Sequence, residues 1–438
     1  MQCAHSSTMK TAEVRVAQIN ARRSRLVLHE LRKIAEEKQI DVMCLQEPYT
    51  FKGKIPFMPA TTQIITCGRK PNAGIIIFNK NITATLITQL SDEWTICVEL
   101  RTHVGKYIMV SSYFQYRHHI EPYIAKFREI YQPYNNEKKN IFTADANAKS
   151  TLWHSRLTDT RGEALEDLIA ELNLVICNKS GNPPTFKNRA GAKSNIDVTL
   201  VTQMKSKHIT KWHVGDSLTT SDHNIIFFNI DSGQQNYIQD ELNYVNCNIK
   251  MINWQKLEKE LKLPQIVEGC DLNMKVQQLT ENLQEAIRRS VPPPKQRRTA
   301  KTEYWNGELE RLRRRSRILR KAYQRTVPEH LRQTRLQAYR EAKKKFENRL
   351  YEVKIASWKR FVNEELKTDP WGTPYKIKMQ KIKSPTVMST LLKDDGSKTS
   401  GWRESIALLI EKLLPDDLLD DDEEHHMMKR LEFGLYPG

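Results

Sequence analysis

From residue 14 to residue 230 the chain is a succession of apolar runs of strand length, and most of them stop abruptly at an acid or an amide. A nearly continuous run such as 40–45 fits a strand covered on both faces. An alternating one, such as Trp94, Ile96, Val98 and Leu100, fits a strand with one face turned inward. Gly105 then turns the chain into 107–113, which predicts a hairpin. Segments 14–19, 74–78, 142–145, 174–177, 196–201, 209–214 and 224–230 read as further strands. Helices are few: Ser24 can cap one whose face carries Leu28, Leu31 and Ala35, and Leu165, Leu168, Ile169 and Leu172 line another. Many short strands with few helices predict a mixed sheet or two packed sheets with helices outside, not a doubly wound parallel sheet.

The polar residues at the ends of these runs carry the chemistry. Gln18-Ile19-Asn20 closes the first run, Glu47 the next, and Asp145-Ala146-Asn147 the central one. Ser194-Asn195-Ile196-Asp197 and Ser221-Asp222-His223 open two later strands. Residues two apart on an extended segment point the same way, so Asp145 and Asn147 can reach into one site. Each cluster alone is what a turn or strand cap provides. Five together suggest one shared edge of the sheets. The residue types suit metal-assisted hydrolysis of a phosphodiester. A carboxylate such as Glu47 can hold Mg²⁺, which keeps waters and leaves room for phosphate oxygens. A positioned carboxylate or imidazole must orient or deprotonate the attacking water, and His223 can serve if a carboxylate fixes its tautomer. Neutral amides such as Asn20 and Asn147 orient ligands without adding charge.

The set Gln18-Ile19-Asn20, Gln46-Glu47-Pro48, Ser112-Tyr113, Asp145-Ala146-Asn147-Ala148, Ile196-Asp197 and Ser221-Asp222-His223 resembles the endonuclease/exonuclease/phosphatase superfamily. Leu45 to Tyr49, Asn147 to Ser150 with Trp153, Asp159-Thr160-Arg161-Gly162 and Pro184-Thr185-Phe186 resemble, more narrowly, the endonuclease of non-LTR (LINE-like) retrotransposons. The resemblance implies a four-layered α/β sandwich, two mixed β-sheets face to face with outer helices. It implies Glu47 as principal metal ligand with Asn20 beside it and Asp222 as a second acid near the metal. It implies Asp145 as the residue that aligns or activates water, with Asn147 beside it at the phosphate. Tyr113 and His223 would contact the phosphate, with Asp197 as the histidine's partner. Asp145 is assigned as general base, with His223 as the competitor. A hairpin around Thr185, Lys187, Arg189 and Lys193 would read target DNA, although an ordinary solvated turn has the same composition.

The expected activity is a Mg²⁺-dependent endodeoxyribonuclease, with Mn²⁺ able to substitute, that nicks one strand of double-stranded DNA and leaves a 3′-hydroxyl for target-primed reverse transcription. The alternatives are a catalytically idle nucleic-acid-binding relic, a superfamily phosphatase, or an abasic-site repair endonuclease. The formal net charge of +18 favours a polyanionic partner. Beyond residue 231 helical periodicity replaces strand patterning, as in Val276, Leu279, Leu283 and Ile287. The division expected is a flexible N-terminus at 1–12, the nuclease at 13–231, a helical linker at 232–300, basic amphipathic helices at 301–367, and a linker with an acidic tail at 368–438. Arg313 and Arg314 are taken there as nucleic-acid contacts, with element RNA as a second partner, against the plainer reading of a solvated face beside a packing stripe. Trp305-Asn306 and Asp369-Pro370-Trp371-Gly372 resemble the segment that precedes a reverse transcriptase, whose aromatic-Ala-Asp-Asp signature is absent. A truncated element protein that nicks but does not extend a primer is therefore expected. The seven cysteines form no Cys-x-x-Cys and read as small core residues in a reducing compartment. Without a membrane span or secretory signal in the pattern, nuclear residence is expected from the substrate and from the basic cluster Lys295-Gln296-Arg297-Arg298, otherwise a cytoplasmic, non-secreted protein.

Overall fold

The computed structural model describes residues 13–134, 140–188, 191–231, 252–261, 272–290, 302–326, 328–379, 381 and 385–413, with 425 and 428. The N-terminal dozen residues, the triple proline at 292–294, the basic cluster at 295–298, the acidic 416–424 stretch and Arg189 lie outside the described residues.

Strands β1 (Glu13–Asn20) and β2 (Val42–Gln46) run parallel around helix α1 (Arg25–Lys38), whose N-cap Ser24 accepts a hydrogen bond from Val27 N. β4 (Ala73–Ile77) pairs with β2 and β3 (Gln63–Ile65) with β4, while β14 (Ile225–Asp231) pairs with β1 and β13 (Ile209–Gly215) with β14. The order is β13-β14-β1-β2-β4-β3. The second sheet contains β5 (Thr83–Leu86), β6 (Thr95–Thr102), β7 (Gly105–Tyr113), β8 (Asn140–Asp145), β9 (Leu174–Ile176) and β12 (Asp197–Thr202). It too is mixed: β6 and β7 form the expected hairpin, and β7 and β8 run parallel. β10 (Phe186–Lys187) and β11 (Lys193–Ser194) make a separate small hairpin.

The two sheets face each other through Val16, Cys44, Ile75 and Phe228 on one side and Val98, Met109 and Ile141 on the other. Their outer faces are covered as well. α1 lays Leu28, Leu31 and Ile34 on Ile19, Met43 and Ile76. Helices α2 (Glu121–Tyr131) and α3 (Thr160–Glu171) lay Phe127, Leu165 and Leu168 on Val110, Phe142 and Val198. This is the four-layered sandwich, and it explains why the runs at β2 and β8 are apolar on both faces. Alternate residues enter different cores: Ile141 goes between the sheets and Phe142 goes to the helices. Among the buried cysteines Cys44, Cys97 and Cys177, burial raises each thiol, so all three stay protonated packing groups.

The downstream region is partly as expected. α4 (Trp254–Glu260) and α5 (Leu272–Ser290) are helices, but Leu279 and Leu283 of the α5 stripe are exposed. α6 (Gly307–Arg325) and α7 (Glu329–Thr368), which starts after Pro328, form a helical hairpin in the stretch expected to be basic amphipathic helices. This hairpin packs onto α1: Leu309, Phe346 and Leu350 close over Leu26 together with Tyr304. After α8 (Thr373–Lys378) the chain departs from a plain linker. β15 (Met388–Ser389) adds a parallel edge strand to β5 of the second sheet. α9 (Trp402–Leu413) is tied down at its start, where Glu99 Oε2 accepts from Trp402 N and the Arg101 guanidinium lies 4.0 Å from the Trp402 ring centre. Among the described residues no helix is long and apolar enough to cross a membrane.

Candidate active site

The sheet registers bring the polar strand ends to one edge of the sandwich. In sheet two, Tyr113 pairs with Asp145 across β7 and β8, and Asp145 pairs with Asp197 across β8 and β12. Registered partners project to the same face, so these three side chains stand in a row. In sheet one, Asn20 ends β1 beside Gln46 of β2, Glu47 follows directly, and His223 sits just before β14 on the other side of β1. The two rows meet where the ends of the sheets approach.

The contacts there are short and buried. Asn20 Nδ2 donates to Glu47 Oε2 at 3.0 Å and to Asp145 Oδ2 at 2.7 Å. His223 Nδ1 lies 3.0 Å from Asp197 Oδ2, which leaves Nε2 turned toward Asp145 Oδ2 at 3.8 Å. Asp145, Asp197 and His223 are the one cluster of potential metal donors found among the described residues, with donor atoms within 4.8 Å of one another. Burial raises Asp145, an effect the His223 charge opposes. Burial alone would lower His223, but Asp197 and Asp145 outweigh it and the imidazole is raised. Burial and then the charges of Glu47 and Asp145 raise the Tyr113 phenol, which therefore stays a neutral donor. Its hydroxyl reaches Gln115 Oε1 at 3.0 Å.

Among the residues with left-handed backbone conformations are two of the expected site, Glu47 with φ +42° and Asn147 with φ +46°. Asn tolerates this region, whereas at Glu it costs about 1 kcal/mol. The neighbours hold Glu47 in place: its N–H donates to Asn72 O, and Arg23 donates to its carbonyl through N and to Oε1 through Nε. Asn147 Nδ2 donates to Phe114 O at 2.9 Å.

A divalent metal ion fits this donor set. Hard carboxylate oxygens from Glu47 and Asp145 converge on a single amide nitrogen, and Asp197 with His223 stands adjacent. The expectation for Asp222 is corrected. Its two carboxylate oxygens are taken by Arg22 and by Arg320, so it is an ion-paired loop anchor rather than a free ligand. Thr185 is also corrected as a DNA contact. It is 1% exposed, and its hydroxyl accepts from the N–H groups of Ile196 and Asp197, pinning the start of β12. Lys187 is partly used up by Asp216 at 3.3 Å, and Lys193 is exposed on the hairpin.

The largest departure concerns the basic helix. Arg313 is 2% exposed and Arg320 4% exposed, so Arg313 is not a surface contact for nucleic acid; Arg314 is exposed. Arg313, Arg317 and Arg320 share one face of α6 and donate to successive carbonyls of the loop leading to His223. Arg317 Nε reaches Ser217 O at 2.6 Å, Arg313 Nη2 reaches Leu218 O at 3.0 Å and Arg320 Nη1 reaches Thr219 O at 3.0 Å. Lys321 pairs with Asp216 at 2.7 Å. Glu30 of α1, fully buried and raised by burial against the pull of Arg313, accepts from Thr220 N and Oγ1. The brace therefore ties α1, α6 and the histidine loop together. Arg320→Met should lower stability by about 2–3 kcal/mol, because a buried carbonyl and an acid lose their donor. Denaturant unfolding measures the loss, and amide exchange should place the loosening at 217–222; an unchanged midpoint would remove the brace.

Arg161 completes the site from behind. It donates to the carbonyls of His118, Ala146 and Asn147. Asn178 fixes Asp197 by donating to its carbonyl at 2.9 Å. Arg161 lies within a motif quoted from the sequence, whereas nothing local marks Asn178.

A family model described as "Endonuclease-reverse transcriptase" matches residues 107–227. The solved endonuclease domain of TRAS1, a telomere-specific non-LTR retrotransposon, is 32% identical over 99% of its own length and 50% of this chain, with a TM-score of 0.46. This chain belongs to the non-LTR retrotransposon endonucleases. The assignment rests on the sequence identity along nearly the whole of that domain. The retrovirus-related Pol polyprotein of a type-1 retrotransposable element R1 from Bradysia coprophila is 27% identical over 84% of the chain and 38% of its own length. A putative 115 kDa protein in the R1DM element of Drosophila melanogaster is 24% identical over 91% of the chain and 40% of its own. The chain thus spans about two fifths of the length of these retrotransposon relatives.

Proposed function

We propose that this endonuclease hydrolyses one phosphodiester of double-stranded DNA, with Mg²⁺ or in its place Mn²⁺, and leaves a 3′-hydroxyl that can prime reverse transcription. The convergence of Asn20, Glu47, Asp145, Asp197 and His223 at one sandwich edge carries this reading. Glu47 and Asp145 would hold the metal, which when bound supplies charge stabilisation to the phosphoryl oxygens. His223, held in one orientation by Asp197 and shifted toward its protonated form, is suited to donate from Nε2 to a phosphate oxygen. Asp145, made more basic by burial, is the better acceptor for the proton of the attacking water. Asp145 is accordingly taken as general base, with His223 as the competitor. The water oxygen bonds to phosphorus as its proton passes to Asp145, and the P–O3′ bond breaks. O3′ leaves as an alkoxide that takes a proton from solvent, with the phosphate left on the 5′ end of the other fragment. Tyr113 adds a neutral donor beside the same phosphate. Nuclear residence would follow from that substrate.

The test is incubation of purified chain with supercoiled plasmid, in Mg²⁺ and in chelator. Relaxed circles in Mg²⁺ alone, extendable by an added polymerase, are expected. Nicks that no polymerase extends would mean a different bond is cut, and a folded chain that leaves the plasmid supercoiled would refute the nuclease.

A further inference from the structure

Between α1 and α7 lies a cavity of about 450 Å³, lined by Arg25, His29, Tyr351 and Lys354 among others. Its cations surround one aromatic ring. Lys354 Nζ stands 3.9 Å from the centre of Phe57, and the Arg25 guanidinium stands 5.3 Å from the same ring and 5.6 Å from Tyr351. Arg32 approaches from behind, donating to Phe57 O at 3.2 Å, while its Nε is buried with no hydrogen-bond partner. Among the described residues neither Arg25 nor Lys354 pairs with a carboxylate. The acids on the rim, Glu347 and Glu352, are exposed, and Glu352 is paired with Arg349 at 2.9 Å.

Burial first, then Arg25 and Arg32, pull the Lys354 amine down to about 8. Burial first, then the same three cations, hold His29 down to about 3, so it stays neutral beside Tyr304 at 2.9 Å. Cation–π contact offsets part of this crowding, but it supplies no negative charge. Lys354 and Arg32 are half-buried and Arg25 is exposed at the mouth, so the cavity gathers like charges with no carboxylate paired to Arg25 or Lys354, an arrangement that suits an anion.

The cluster adjoins the site already described. Arg25 begins α1 two residues after Arg23, whose side chain touches Glu47. The geometry points to this α1–α7 cavity as a second phosphate-binding site, which holds the nucleic-acid backbone beyond the scissile bond. The reading rests on the proposed DNA substrate. It makes the helical hairpin part of the nuclease's footprint, through Lys354 rather than through Arg313.

The test is binding of a short labelled DNA duplex, and of RNA of the same sequence, by the full chain in chelator, where no cleavage intervenes. An Arg25→Gln, Lys354→Gln double variant should bind roughly tenfold more weakly near physiological salt, and the slope of log affinity against log salt should fall by about 2. Its melting temperature should stay level or rise, because repulsion has been relieved. The loss should appear on the DNA duplex; a loss confined to RNA would overturn the placement of this site on the backbone beyond the scissile bond. Unchanged affinity and slope would overturn the site. Weaker binding with a lowered melting temperature would also overturn it, since the cluster would then be holding the fold. Because nicking is not measured, failure here is separate from failure of the nuclease reading.

Discussion

Asp145→Asn should remove plasmid nicking almost completely and leave the fold standing. The amide matches the carboxylate in shape, and its oxygen can still accept the 2.7 Å hydrogen bond from Asn20 Nδ2. It cannot take a proton from water, and it is a far poorer ligand for a hard divalent cation. Losing a general base typically costs 10²–10⁴-fold, so a fall of at least about 10³-fold is expected when metal binding is weakened too. Stability should move the other way. Burial disfavours the charged form of Asp145, and this outweighs the His223 charge, which opposes it and exceeds the repulsion from Asp197. In chelator the variant should therefore melt at the same temperature or higher. Nicking assays paired with thermal unfolding separate the two effects. A variant that nicks within tenfold of the parent would take Asp145 out of the chemistry, and one that melts far lower would make it a structural residue.

The fold was legible because its runs obey simple periodicity. β2 and β8 are apolar on both faces and lie between layers, and the Gly105 hairpin formed where alternation changed at a glycine. The site was legible because its members end strands, where side-chain direction follows from register. Asp222 was misjudged for a physical reason. An acid beside a histidine at a strand start is indistinguishable by pattern from one whose charges are spent on Arg22 and Arg320, because Arg320 is almost a hundred positions away. Arg313 was misjudged for a related reason. Spacing of four and three residues places Arg313, Arg317 and Arg320 on one face, but charge at that spacing is ordinarily read as the solvated face. Here that face is inside, since the 217–219 carbonyls offer the acceptors that water would otherwise supply. Thr185 followed the same logic, its hydroxyl serving backbone N–H groups rather than a ligand.

Gly162→Ala should unsettle the site from a residue that touches none of the chemistry. Asp159 caps α3 by accepting from Gly162 N at 2.8 Å, and its Oδ1 also accepts from Lys149 N at 3.0 Å. The start of α3 is thereby pressed against the loop that follows Asn147. A Cβ built on Gly162 would overlap the Lys149 carbonyl oxygen, a backbone atom that no rotamer change can move aside. Either the helix start must lift or the loop must slide. Arg161, the residue before Gly162, grips the carbonyls of Ala146 and Asn147, so either movement is transmitted to Asn147 and to Asp145 before it. Overpacking of this kind costs about 1–3 kcal/mol. A displacement of only about 1 Å at reacting groups can cost roughly 100-fold in rate. The variant should therefore lose far more activity than its stability loss explains. Gly307→Ala, where a Cβ meets nothing within 4 Å, is the matched control and should be neutral in both measurements. Denaturant midpoints and nicking rates for the pair decide the point: if Gly162→Ala behaves like Gly307→Ala, the helix start has slack, and the Asp159–Gly162 turn does not set the position of Asp145.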